Sequence, residues 1–201
     1  MIDVDAITEL HRATVRRWHQ YDVDNHYEGF LLFVCRQHQQ NYRLWHQEDV
    51  ARSPDVADAE LAQVKRNIDR LNQQRNDLIE RLDECLIHEL TAAGVQRQPD
   101  ARLNTETPGS VIDRLSILAL RIYHMEEQTQ RADADEHHRA KAGAKLEVLH
   151  QQRADLSNAL GELIEDLFAG RKRLKVYRQF KMYNDPTMNP CLYQSRETPA
   201  A

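Results

Sequence analysis

His38, Asn41, Trp45, Glu48, Asp49 and Arg52 fall on one helical stripe, continuing the face that Phe30, Leu31 and Val34 open with apolar side chains. At about 100° per residue they share a sector of roughly that width. Imidazole, amide, carboxylate and guanidinium groups aimed at an interior must find partners there, because an unpaired buried charge is strongly unfavourable. Glu48 and Asp49, with Asp113 and His124 further along the chain, are therefore the candidate catalytic acids and bases. His38, Asn41 and Arg52 are candidate ligand-binding groups.

Two arginines break leucine seams in the same way. Arg75 interrupts the row Leu61, Val64, Ile68, Leu71, Leu78 and Leu82, and Arg153 stands between Leu149 and Leu156. Two guanidinium groups in one core need carboxylates, and Glu48, Asp49, Asp113 and Glu127 are the available ones. A structural ion-pair network and a binding site both satisfy this pattern. Either way, Glu48, Asp49, Arg75, Asp113, His124 and Arg153 are expected to converge. Asp69, Asn72, Asn76, Glu80 and Asp83 form a polar row about 110° from the seam. That row reads as a solvated face or, taking Glu48, Asp49, Asp69, Glu80 and Asp83 together, as weak oxygen ligands for Mg²⁺.

The stretch Thr107-Pro108-Gly109-Ser110 opens a helix. With Ser110 as N-cap, Asp113 becomes the third residue of a capping box, and the turn offers free N–H groups to a phosphate, making Thr107 and Ser110 ligand-binding candidates. The run Arg171 to Lys181 is the one basic concentration, with Tyr177, Phe180 and Tyr183 interleaved. It is expected to form a short basic helix in which Arg178 and Lys181 hold phosphate, although it serves equally to dock the tail or to offset the acidic bundle.

Metal chemistry has little local signal. Of the ten histidines, His38 and His124 face inward, while His11, His19, His46, His88, His137, His138 and His150 are expected at exposed or terminal positions. Glu147 and His150 make a single Glu-x-x-His where a ferritin-like dimetal site needs two. Cys35, Cys85 and Cys191 are widely separated, which argues against a disulfide framework or a zinc knuckle. No firm cofactor follows, and a weak Mg²⁺ site stays open.

These groups must be positioned by helices, since apolar periodicity is helical almost throughout. Helices are expected over about 4–19, 27–52, 56–90, 107–131 and 135–169, the fourth apolar on two sides and therefore central. The fold class is all-α: a bundle of four main helices with an extra N-terminal helix and a short basic C-terminal helix, in one domain over 1–201 (N-terminal helix 1–20, bundle 27–170, C-terminal helix and tail 171–201). A formal charge of −5 argues against general nucleic-acid binding. An acidic N-terminus and the lack of a run of about 20 apolar residues predict a cytoplasmic protein without membrane insertion. The third and fifth helices outrun their neighbours, which predicts a homodimer through Leu61, Val64, Ile79 and Leu86.

The stretches His26–Phe30, Asn41–Arg52, Ile68–Asp77, Thr105–Ser110, Asp113–Leu118 and Lys175–Pro186 resemble the signature segments of the bacterial DUF4254 family of domains of unknown function, marked by its Thr-Pro-Gly motif. The resemblance covers nearly the whole chain. It implies a bacterial helical protein encoded among lipopolysaccharide and surface-glycan genes, and it carries no catalytic residues across. Three functions are expected as alternatives: binding or processing of a phosphorylated or nucleotide-linked sugar, Mg²⁺-dependent pyrophosphohydrolysis, or a non-enzymatic interaction module for a glycosyltransferase.

Overall fold

The computed structural model describes residues 2–182 and 185–193. In chain order the elements are α1 (Val4–Trp18), α2 (Gly29–Ala51), α3 (Asp58–Ala92), β1 (Arg102–Leu103), α4 (Pro108–Gln130), α5 (Glu136–Phe168), β2 (Lys172–Arg173) and α6 (Pro190–Tyr193). The protein is an all-α bundle, and the long helices begin and end within about two residues of their expected positions.

Local chemistry explains those boundaries. Asp3 caps α1 by accepting from the Asp5 and Ala6 amides, and Asp135 caps α5 by accepting from His138 N. Gly170, at φ +70°, ends α5 in the left-handed conformation that glycine adopts without a Cβ penalty. It also has no room for a side chain, because a Cβ there would collide with the Gln96 carbonyl.

Packing places α4 at the centre, as its two apolar sides demand. It touches α1, α2, α3 and α5, while α2 pairs with α3 and α5 with α4 as long hairpins. Val111, Ile112, Leu115, Leu118, Leu120 and Ile122 of α4 are all buried. Full burial of such side chains stabilises by roughly 1.5–3 kcal/mol each. α1 contributes Ile7, Leu10, Val15 and Trp18 to the same core, with His11 and Thr14 buried between them on the same helix face.

The C-terminal segment departs from the expected basic helix. After Gly170 the chain runs into β2, which pairs in parallel with β1 through Arg102 with Lys172 and Leu103 with Arg173, and residues 174–180 continue without helix. Backbone hydrogen bonds to the α3–α4 connection replace those a helix would make. Leu174 is buried with Leu86, Leu163 and Leu167, tying the segment to the C-terminal ends of α3 and α5. Tyr183 lies outside the described residues. α6 is a single turn, and no described helix is long and apolar enough to cross a membrane.

Candidate functional site

The polar stripe of α2 meets α4 at one carboxylate. Asp113 Oδ1 accepts hydrogen bonds from Gln37 Nε2, from Asn41 Nδ2 at 3.0 Å and from Arg75 Nε at 2.7 Å, while Oδ2 accepts from Arg75 Nη2. The bidentate fork matches a guanidinium to a carboxylate and crosses from α3 to α4. Asn41 also donates to Ser116 Oγ at 2.8 Å, and His38 Nδ1 lies 2.6 Å from the same hydroxyl. Thus Arg75, Asp113, His38 and Asn41 are inward as their spacing indicates, and Arg75 finds its carboxylate. Gln37 and Ser116 complete the network without having stood out in the sequence, because small or uncharged polar residues do not disturb a hydrophobic period.

The assignment of Asp113 to a capping box is corrected. Thr107 is the N-cap: its Oγ1 accepts from Ser110 N at 3.2 Å while Ser110 Oγ accepts from Thr107 N at 3.0 Å, so Ser110 is the third helical residue instead of the cap. Nor are the N–H groups of this turn all free for phosphate. Asp83, buried on α3, accepts from the Gly109 amide at 2.7 Å and acts as the resident anion at the start of α4. Burial pushes the Asp83 carboxyl up to about 6, against the pull of Thr107 and Gly109. Glycine at 109 is required by space, since a Cβ would stand 2.5 Å from the Ile79 carbonyl oxygen.

Outside the Asp113 network, α2, α3 and α4 enclose an open groove of about 610 Å³. Asn41 and Arg75 form part of its wall, with Trp45, Glu48, Asp49, Arg52, Asn72 and Arg121 around them. The indole of Trp45 is stacked on His124, with ring centroids 4.6 Å apart and planes 9° from parallel. Glu48 and Arg52 pair with each other on the exposed rim, and Asp49 lies near His46, so these three line the groove and the expected convergence of Glu48 and Asp49 in the core is corrected. Their place near the end of α2, where the bundle opens, accounts for this. Among the described residues Arg121 has no ion-pair partner.

Several candidates go elsewhere. Arg153 lines a separate cavity of about 30 Å³, the size of one water, with Thr8, His11 and Arg16 beneath α1, so it does not join Arg75. The proposed Mg²⁺ ligands are dispersed: Asp69 accepts from Lys65, Glu80 from Arg178 and Gln179 N, and Asp83 caps α4. Arg178 spans Glu80 and Glu84, strapping the C-terminal segment across α3. Its guanidinium is engaged by carboxylates, which corrects its place as a free phosphate ligand. Lys181 stands beyond that strap and away from the groove lining.

The histidines differ most from expectation. His11 is buried against His38 with ring centroids 4.6 Å apart, and His38 lies 5.2 Å from Trp18. His19 and His46 are half-buried, packed among Tyr42, Tyr123 and His124. They were expected at the surface because imidazole counts as polar in a periodicity. Here its flat ring packs like an aromatic one. Burial drives His11 down to about 3 and His38 well below the imidazole range.

The fold and site together define an all-helical bundle with a polar interhelical groove. Residues 32–176 match the family described as protein of unknown function (DUF4254), and the chain belongs to that family. No curated protein and no solved structure shows a match.

Proposed function

We propose that the chain binds a phosphorylated or nucleotide-linked sugar in the groove between α2, α3 and α4. The observation that carries this reading is that Arg75, held by Asp113 with N–H donors to spare, and Arg121, which has no ion-pair partner among the described residues, line the same groove from α3 and α4. Both cations suit a phosphate. Trp45 supplies an indole for a sugar or base face, and Asn41 and Asn72 supply amides for hydroxyl groups. A volume of about 610 Å³ lies within the range of small-molecule sites. Bacterial surface-glycan biosynthesis, the setting implied by the resemblance, would supply such a ligand. Processing of the ligand would fall to Glu48 and Asp49 on the rim.

The test is calorimetric titration with a uridine diphosphate sugar. Saturable binding that is lost in Arg121→Ala and Trp45→Ala supports the reading, and absence of heat across phosphorylated and nucleotide-linked sugars removes it. A second reading, the glycosyltransferase interaction module, is favoured by the exposed Phe180 (83%), Met182 and Met188 on the C-terminal segment. Self-association as a homodimer goes with either. Val64 and Leu86 are covered within the chain, which leaves Leu61 of the expected contacts exposed. Light scattering distinguishes dimer from monomer.

A further inference from the structure

Asn41 stands where the buried network of α2 and α4 meets the groove, and the bonds around it fix which way its amide points. Gln37, His38 and Asn41 of α2 face Asp113 and Ser116 of α4, each set at the i, i+3 or i, i+4 spacing of one helix face. The Asp113 carboxylate, paired with the Arg75 guanidinium, only accepts hydrogen bonds. The atom that Asn41 turns toward Asp113 Oδ1, at 3.0 Å, is therefore the amide nitrogen. The same NH₂ group donates to Ser116 Oγ at 2.8 Å. Both donors of Asn41 are engaged on the inner side.

What remains is Oδ1. Among the described residues it accepts no hydrogen bond, yet it is not sealed from solvent as the side-chain oxygens of Gln37 and Gln40 are. Asn41 is only 4% exposed, and it lines the groove beside Arg75. We propose that Asn41 is the specificity-determining residue of the groove: its Oδ1 is a fixed acceptor that selects ligands presenting an O–H or N–H donor alongside the anionic group held by Arg75 and Arg121. This role rests on the groove being a sugar-phosphate site, and it adds the polarity that the ligand must have.

The neighbouring groups set Asn41 apart. Arg75 uses Nε and Nη2 on Asp113, which leaves Nη1 for the groove, and Arg121 offers donors alone. Asn72 makes no side-chain hydrogen bond among the described residues, so its amide can turn to suit either kind of partner. Glu48 and Asp49 accept as well, but on the rim beside Arg52 and His46. A ligand that brought a lone pair instead of a proton to Asn41 would leave Oδ1 unbonded and cut off from water. His38, kept neutral by burial, closes the chain at its inner end. Ser116 Oγ accepts from Asn41, and the only acceptor for its own proton among the described residues is His38 Nδ1, at 2.6 Å. That sense orphans one group, the Nε2–H of His38, whereas the other tautomer orphans both the Ser116 proton and the Nε2 lone pair.

The test is calorimetric titration of the full chain with uridine diphosphate glucose and glucose 1-phosphate. Each is set beside analogues in which one sugar hydroxyl at a time is replaced by fluorine or, for the nucleotide, the uracil N3–H by N-methyl, so that a sugar donor and a base donor are told apart. One such replacement should weaken binding about 10-fold or more. The ¹³Cγ signal of Asn41 in the wild type should move with the parent compound and stay in place with that analogue, a response that a packing role would not give. In Asn41→Ala the parent and that analogue should bind alike, and in the ligand-free wild type the ¹⁵N shifts of His38 should be those of the Nε2–H tautomer. If a parent compound binds and every analogue matches it, or if the Asn41 signal does not respond, the role of Asn41 is overturned while the groove keeps its ligand. If neither parent compound binds, the two readings fall together. The wild-type measurements decide the matter even where Asn41→Ala fails to fold.

Discussion

Asp83 of α3 and the Gly109 amide of α4 are joined by a 2.7 Å hydrogen bond that makes the Thr-Pro-Gly turn a junction between helices. The carboxylate occupies the position an external phosphate would take at a helix N-terminus, and the glycine lets the two helices approach. Gly109→Ala should therefore destabilise the fold by about 1–3 kcal/mol or more, since the new methyl meets the backbone carbonyl of Ile79. Thr107→Ala, which removes the cap and the hydroxyl that bonds Asp83 but adds no clash, should cost less, about 1–2 kcal/mol. Urea denaturation of both variants tests the order.

Asp113→Ala should be among the most damaging polar substitutions. It leaves the largely buried guanidinium of Arg75 uncompensated and orphans the donors of Gln37 and Asn41. A loss of about 3–5 kcal/mol is expected. Combining it with Arg75→Met should recover part of that loss, as the unpaired charge is then gone. Additive losses in the double variant would mean that the two residues are not coupled.

Stability should fall as pH drops below about 6.5. His11, lowered to about 3, and His38, held well below its usual range by burial, stay neutral in the fold while the unfolded chain takes up protons. Each contribution is complete above pH 6.5 and declines by roughly 1.4 kcal/mol per pH unit below it. Asp83 acts in the opposite sense: raised to about 6, its contribution is complete below about pH 3.9 and is lost as pH rises through 6. Two imidazoles outweigh one carboxyl, so the net slope is a loss toward acid. Urea midpoints at pH 7, 6 and 5 measure it, and His11→Phe should flatten it.

Ligand binding in the groove should be visible in tryptophan fluorescence. The chain has two tryptophans; Trp18 is buried in the core and Trp45 lines the groove. A uridine diphosphate sugar should quench emission in the wild type and leave Trp45→Phe unchanged. Equal quenching in both would locate the ligand elsewhere.

Arg178→Ala should loosen the C-terminal segment without weakening groove ligands. Its guanidinium holds Glu80 and Glu84, and neither carboxylate lines the groove. Faster trypsin trimming after Lys175, with an unchanged calorimetric constant, is the expected result.

The helices were legible because each carries its own period and its own stop: Asp135 and Gly170 bracket α5 in sequence as in space. Arg75 was legible as a buried cation because it breaks a leucine seam, and a buried cation requires a carboxylate. Its choice of Asp113 over Glu48 or Asp49 was not legible, since helical phase gives direction around an axis and not distance along a neighbouring helix. Arg171 to Lys181 misled for a related reason: alternating charge and aromatic residues suit a helix or a strap equally. The choice depends on whether β1 and Glu80 lie within reach.

By itself, then, the sequence determined an all-α chain, its helix boundaries, the centrality of α4 and the inward polar stripe of α2, because these follow from interactions between residues close in the chain. The tertiary structure decided what depends on residues far apart: Asp83 on Gly109, Asp113 under Arg75, and the packing of His19, His46 and His124 among Tyr42, Trp45 and Tyr123. Those pairings are set by how helices cross, and crossing is a property of packed surfaces that no single helix encodes.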